Sequence, residues 1–237
     1  KLSPSTPVLT NCGGTYALPV SCGGNFTGDS IDDIYGSIHE SALLSKNGFG
    51  TSTDLSAIRS RGTPISGGGT ASGIWPVAEQ LKHMTGYVSQ GNNRRGSIGL
   101  YLDIMHDDFD ELCDKLLTEP DGLNVGWNVR ESFVESLKKG DKDCIRRYQK
   151  ALKTKLTVGK GYFFFIDKAN ATNPIPIDIK ASNLCAEITL PADEEHSFTC
   201  VLSSLNLSLY DEMTDDDIYN STIFLDAVAS EFISMAR

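Results

Sequence analysis

Asn183-Leu184-Cys185-Ala186-Glu187 sets an amide, a thiol and a carboxylate at alternate positions. In an extended segment, side chains i, i+2 and i+4 share one side, so Asn183, Cys185 and Glu187 would converge on one spot. A sulfur able to act as nucleophile or radical, a carboxylate that accepts a proton and an amide that orients both are the parts of a catalytic centre. The plainer reading is an ordinary strand with a buried cysteine, because a thiol often behaves as a small hydrophobe. Spacing alone leaves both open.

The elements that must position this stretch follow from periodicity. Residues 1–28 read as loops and short strands. A helix is expected from Asp29 to Lys46: Ser30 and Asp33 form a capping box, Ile31, Ile34, Tyr35 and Ile38 share a face, and Asn47-Gly48 stops it. A short strand ends near Ile58. A loop from Arg59 to Gly69 carries three consecutive glycines. Pro76 suits the first turn of the next helix, which puts Val77, Leu81, Met84 and Val88 on one side. A second loop, Ser89 to Ser97, contains Arg94-Arg95.

Further on, strands are expected at Ile98–Ile104 and Leu123–Val129, with helices at Asp107–Leu117, 131–139 and 141–154. The run Gly161-Tyr162-Phe163-Phe164-Phe165-Ile166 suits a strand buried on both faces. Residues 167–182 read as loop and His196–Leu209 as strand around Cys200. Thr214 caps a last helix with Ile218, Leu225, Val228 and Phe232 inward. Strands alternating with helices predict an α/β fold with mostly parallel strands.

Composition narrows the function classes. The 237 residues suit one large domain or two small ones, and the net charge of −10 argues against a dominant nucleic-acid footprint. No apolar run reaches membrane-spanning length and no secretory signal opens the chain. A cytoplasmic protein with reduced thiols is therefore expected. The opening Lys1 fits a processed chain or a piece of something longer. Cysteines stand at 12, 22, 113, 144, 185 and 200, none spaced as C-x-x-C, and no metal-ligand pattern is present.

Separated motifs agree in order with one known family. They are Ser5-Thr6-Pro7, Ser21-Cys22, Gly48-Phe49-Gly50, Ile58-Arg59 with Gly62, and Gln90-Gly91 with Arg94-Arg95-Gly96. Then come the segment Gly161 to Asn170, Asn183-Leu184-Cys185-x-Glu187, and Cys200 with Asn206-Leu207. On these the chain resembles the catalytic (large, alpha) subunit of ribonucleotide reductase of the class I or class II type. The resemblance implies a ten-stranded α/β barrel of two five-stranded parallel halves, of which residues 1–237 hold the first half, the finger loop (167–190) and the first strand of the second half. An N-terminal nucleotide-binding cone, a phosphate-binding loop, a radical-transfer tyrosine pair and a cysteine tail found in family members have no counterpart in this sequence.

By resemblance, Cys185 is the thiyl radical that abstracts the 3′ hydrogen of a ribonucleotide, Glu187 the base for the 3′-hydroxyl and Asn183 its hydrogen-bonding partner. Cys22 and Cys200 are the reducing pair that ends as a disulfide, so their Cα atoms should come within about 7 Å. Substrate contacts fall to Thr6, Ser21, Cys22, Gly48 and Asn183. The loops in 29–97 resemble those that read an effector nucleotide at a dimer interface, with Asp29, Arg59, Ile65 and Arg94 as contacts. The implied partners are a ribonucleotide, a deoxynucleoside triphosphate or ATP effector, a second copy of the chain, and thioredoxin or glutaredoxin. The radical would come from a metal-containing beta subunit or adenosylcobalamin, with no cofactor held in this chain. Cys12, Cys113 and Cys144 read as structural. The alternative is a non-catalytic nucleotide-binding or assembly fragment of a split reductase, inert without its complement.

Overall fold

The alternation of short strands with helical periods yields a mixed α/β architecture, seen in a computed structural model that describes residues 1–14, 17–88, 96–121 and 123–236. β1 (Leu2–Pro4) leads into the short helix α1 (Thr6–Asn11), whose Pro7 lies in the first turn, where a missing N–H breaks no bond. Next come β2 (Cys22–Phe26), α2 (Ile31–Lys46), β3 (Gly50–Asp54), α3 (Trp75–Tyr87) and β4 (Ile98–Asp103). They are followed by α4 (Phe109–Thr118), β5 (Asn124–Val129), α5 (Glu131–Lys138), α6 (Lys142–Val158), β6 (Tyr162–Phe165) and α7 (Ile166–Ala171). β7 (Phe198–Cys200), β8 (Ser203–Leu205), a 3₁₀ segment (Leu207–Glu212) and α8 (Asp215–Met235) close the chain.

One curled six-stranded sheet runs β6-β5-β4-β3-β2-β7, and β1 pairs with β8 in a small antiparallel ribbon. Strands β2 to β6 are parallel; β7 joins the outer edge of β2 antiparallel. The core sits where α3, α4 and α6 cover β4 and β5, around Leu100, Leu102, Phe109, Leu112 and Trp127. Trp127 meets Phe109 edge-on with ring centroids 4.8 Å apart. The expected capping box at α2 is present: Ser30 Oγ accepts from Asp33 N–H at 3.0 Å and Asp33 Oδ2 from Ser30 N–H at 3.2 Å. Thr214 and Asp217 repeat it at α8, and each such cap is worth about 1 kcal/mol.

Local chemistry overrides periodicity at five places. β3 ends at Asp54, not near Ile58, because Asp54 Oδ1 accepts from both Ser56 N–H (3.4 Å) and Ser56 Oγ–H (2.6 Å), a turn that breaks the strand. α1 forms within the expected loop region. α7 replaces the first residues of the 167–182 loop, and Asn170 ties it to the outgoing chain through Ile179. The aromatic run of β6 is not buried on both faces: β6 is the edge strand, and Tyr162 and Phe165 face outward. In α8 only Val228 is buried, while Ile218 is exposed.

The inner face of α2 is polar. Ser37, Ser41 and Ser45 are buried, and Thr27 Oγ1 lies 2.7 Å from both Ser37 Oγ and Thr53 Oγ1. Ile31 and Tyr35, expected on its apolar face, point to solvent, whereas Ile34 and Ile38 touch the core.

At the far end of the strands, Asn128 on β5 donates through Nδ2 to Asp54 Oδ1 (3.1 Å) and to the carbonyl of Lys180 (2.7 Å). This bond anchors the segment entering 181–190. Burial pushes the Asp54 carboxyl up to about 7, opposed by its Ser56 bonds, raised further by Asp103 and eased by Lys180. The folded chain therefore holds this proton where the unfolded chain releases it. The resulting stabilisation is complete below the ordinary carboxylate value and is lost as pH rises toward 7. Denaturant titrations from pH 4.5 to 7.5 should show a fall of at most about 1.4 kcal/mol per pH unit from this group. The fall should be absent in Asp54→Asn, and an identical slope in that variant would contradict it.

Candidate active site

Antiparallel pairing of β2 with β7 sets Cys22 directly opposite Cys200. Opposed residues in such a ladder share a face with Cα atoms about 4.5–5.5 Å apart, inside the span of a disulfide. The two sulfurs lie 2.8 Å apart as buried thiols. The neighbouring Cys22 thiol and burial together hold Cys200 well above the ordinary thiol range, so it keeps its proton at neutral pH. Thr199 Oγ1 donates to the Cys22 carbonyl at 3.1 Å, and Ser21 N–H to the Cys200 carbonyl at 3.3 Å.

The Asn183 stretch is not an extended strand. Residues 183–186 make a tight turn: Ala186 N–H donates to the Asn183 carbonyl at 3.1 Å, and Ala186 has φ = 65°. The side chain of Asn183 drives this geometry, since its Oδ1 accepts from the N–H groups of Glu187 (3.0 Å) and Ile188 (3.1 Å). Its Nδ2 donates to Glu187 Oε1 at 2.7 Å and to Cys22 Sγ at 3.2 Å. Asn183 and Glu187 thus converge through a turn, not by alternation. Asn183 is fully buried, while Cys185 and Glu187 are exposed at the tip. One amide therefore spans from the buried thiol pair to the carboxylate, with Cys185 two residues further on.

Glycines seat the tip on the sheet. A Cβ on Gly50 would lie 2.9 Å from Leu184 Cδ2, and one on Gly99 3.2 Å from Leu184 Cα. Sequence reasoning quoted Gly50 only within a motif and passed over Gly99; a glycine within a strand is the signal for such a close approach. It likewise quoted Ser5, whose Oγ lies 2.8 Å from Ser21 Oγ, only within a motif, and it passed over Tyr101, whose phenol donates to the Asn183 carbonyl at 2.6 Å.

The other expected substrate contacts gather at the N-terminal ends of β2 and β3. Ser21 is buried beside Cys22, and Gly50 N–H donates to its carbonyl at 3.0 Å. Gly48, with φ = 91°, precedes β3 by two residues. Thr6 is exposed at the start of α1, next to Ser5. Among the expected effector contacts, Asp29, Arg59 and Ile65 line one cavity with Ile31, Ile34 and Ile58. Asp29 accepts from Arg59 N–H (2.8 Å) and Nε–H (2.7 Å). Arg94 lies outside the described residues. Cys113 and Cys144 are buried as expected of structural thiols, but Cys12 is exposed and donates to Glu231 at 3.0 Å. Among the described residues, no cluster of three or more His, Cys, Asp or Glu could hold a metal ion, and no helix is long and apolar enough to cross a membrane.

The family model for the ribonucleotide reductase barrel domain matches residues 20–146 and 146–232. The solved class Id ribonucleotide reductase alpha subunit of Actinobacillus ureae superposes with a TM-score of 0.90 at 36% identity, covering 100% of this chain and 45% of that one. A candidate ribonucleoside-diphosphate reductase large subunit of Frog virus 3 (isolate Goorha) is 29% identical over 259 residues, which is 98% of this chain and 45% of that protein. The vitamin B12-dependent ribonucleoside-diphosphate reductase of Mycobacterium tuberculosis (strain CDC 1551 / Oshkosh) is 27% identical over 226 residues, 86% of this chain and 32% of the relative. The chain thus spans less than half the length of each of these relatives.

Proposed function

Because the chain belongs to the ribonucleotide reductase barrel-domain family, we propose that it carries the radical and reducing cysteines of a ribonucleoside-diphosphate reductase. The observation that carries this reading is the 2.8 Å approach of Cys22 and Cys200, with Asn183 bonded to both Cys22 and Glu187. Further barrel strands, from the same or another polypeptide, complete the wall around this half.

In this reading Cys185, as a thiyl radical, takes the 3′ hydrogen of the bound ribose. Its exposure at the tip suits both contact with the sugar and delivery of the radical from outside. Glu187 accepts the 3′-hydroxyl proton, a step that needs a carboxylate within hydrogen-bond reach of that hydroxyl. The 2′-hydroxyl leaves as water with a proton from one thiol of the Cys22–Cys200 pair. The pair supplies two electrons and the second hydrogen to the 2′ carbon and becomes a disulfide. Glu187 gives its proton back to the 3′ oxygen, and Cys185 returns the 3′ hydrogen. Protonated thiols suit this role, which fits the raised Cys200. Thr6, Ser21 and Gly48 hold the substrate at the mouth of β2 and β3. A metal-containing beta subunit or adenosylcobalamin supplies the radical, and thioredoxin or glutaredoxin reduces the disulfide in the cytoplasm.

Residues 29–97 form the dimer and effector region of this domain and 167–190 its finger loop. The outward Ile31 and Tyr35 on α2 support pairing with a second copy. The Asp29–Arg59–Ile65 cavity takes the effector nucleotide, with Arg94 bridging toward the substrate. A guanidinium beside an apolar wall suits a phosphate and its base. Calorimetry on the dimer should show deoxynucleoside triphosphate binding weakened about tenfold or more by Arg59→Ala; equal affinity would remove Arg59 from the effector site.

The second reading, a non-catalytic assembly fragment, is favoured by the open sheet, which ends at β6 and β7 without closing into a barrel among the described residues. Turnover separates the two. The chain, assembled with the rest of the barrel, a radical source, a reductant and a ribonucleoside diphosphate, should yield deoxynucleotide. Nucleotide binding with no product under any radical source would favour the fragment reading.

A further inference from the structure

Tyr101 stands in the middle of β4 and is 1% exposed. Two features fix its ring. Gly126 on the neighbouring β5 leaves the space it occupies, since a Cβ there would lie 2.2 Å from Tyr101 Cε1. Phe164 meets it edge-on with centroids 5.9 Å apart. A ring held this way on a central strand is a rigid post.

The post ends at the tip turn. Tyr101 Oη–H donates to the Asn183 carbonyl at 2.6 Å, the same oxygen that accepts from Ala186 N–H to close the turn. Burial raises the phenol above its ordinary range, so it remains a donor across the working pH range. Beyond that carbonyl, the Asn183 side chain contacts Cys22 Sγ, Glu187 Oε1 and two backbone N–H groups. Ala186 holds a positive φ that a non-glycine residue adopts only when its surroundings impose it. The Tyr101 bond ties this self-closed turn to the sheet through the Asn183 backbone.

We propose that Tyr101 is a positioning residue of the reductase reaction: its phenol fixes the Asn183 peptide and so sets where Asn183, Cys185 and Glu187 stand relative to Cys22. The proposal rests on the reductase reading above, and its effect is on catalysis more than binding, because the bond touches the reacting side chains only through Asn183.

Tyr101→Phe keeps the ring and removes the donor; Tyr148→Phe makes the same change on an exposed residue of α6 and serves as the control. Hydrogen exchange of 183–190 in the chain itself needs no turnover. It should quicken at least about threefold in Tyr101→Phe, while the peptides 98–103 and 124–129 stay protected, which also reports that the variant is folded. In the assembled reductase, kcat should fall about tenfold or more with KM within about threefold. Tyr148→Phe should change neither. Unchanged exchange at 183–190 would overturn the proposal, as would unchanged kcat in an enzyme whose unsubstituted form turns over. An inactive unsubstituted enzyme would sink the reductase reading and leave the exchange arm to decide the role of Tyr101.

Discussion

In the assembled reductase proposed above, Cys185→Ala should abolish deoxynucleotide formation, with kcat lowered by a factor on the order of 10⁴ or more. No other exposed sulfur lies beside Asn183 and Glu187 among the described residues, and alanine can neither carry a radical nor return a hydrogen atom. The substitution is at an exposed position of the tip, so stability should move by no more than about 0.5 kcal/mol. Nucleotide affinity, which the proposed reading assigns to groups near Ser21 and Gly48, should stay within about threefold. Chemical denaturation, equilibrium binding and product assay together read this pattern. Turnover at even a tenth of the original rate would remove the radical role from Cys185.

Cys200→Ser separates the two halves of the chemistry. A serine hydroxyl fills nearly the same space opposite Cys22 but cannot form a disulfide. In the proposed mechanism, abstraction at the 3′ carbon needs only Cys185 and Glu187, so exchange of the substrate 3′ hydrogen should persist. Reduction at the 2′ carbon, on the same reading, needs both thiols, so steady-state product formation should fall about 10³-fold or more. Cys22→Ser should behave alike, with a further loss from the Asn183 Nδ2 contact at Cys22 Sγ. Normal steady-state reduction by either variant would show that the electrons come from elsewhere.

Much of this was legible in the residues. The capping box of α2, Pro76 in the first turn of α3 and the strand–helix alternation through β6 follow local rules, and the structure obeys them. The places that misled were those where side chains bond their own backbone or where a strand lies at an edge. Asp54 ends β3 early through Ser56, and the aromatic run of β6 looks doubly buried until its place in the sheet is known. The site shows the same division. The i, i+2, i+4 spacing put Asn183, Cys185 and Glu187 on one side of a strand, whereas Asn183 Oδ1 folds the stretch into a turn that brings its amide to Glu187. Cys22 and Cys200 lie 178 positions apart, and only family resemblance joined them before the β2–β7 ladder did. Tyr101 was invisible: a tyrosine in an apolar strand reads as core, and only the fold reveals that its hydroxyl meets the Asn183 carbonyl.

The most direct measurement is the count of disulfides formed against deoxynucleotide made when the assembled protein turns over once without external reductant. Trapping the thiols at the end of that turnover and mapping them by mass spectrometry should give one Cys22–Cys200 disulfide for each deoxynucleotide. Cys12, Cys113, Cys144 and Cys185 should remain reduced. Deoxynucleotide produced while Cys22 and Cys200 both stay as thiols would contradict the assignment of this site.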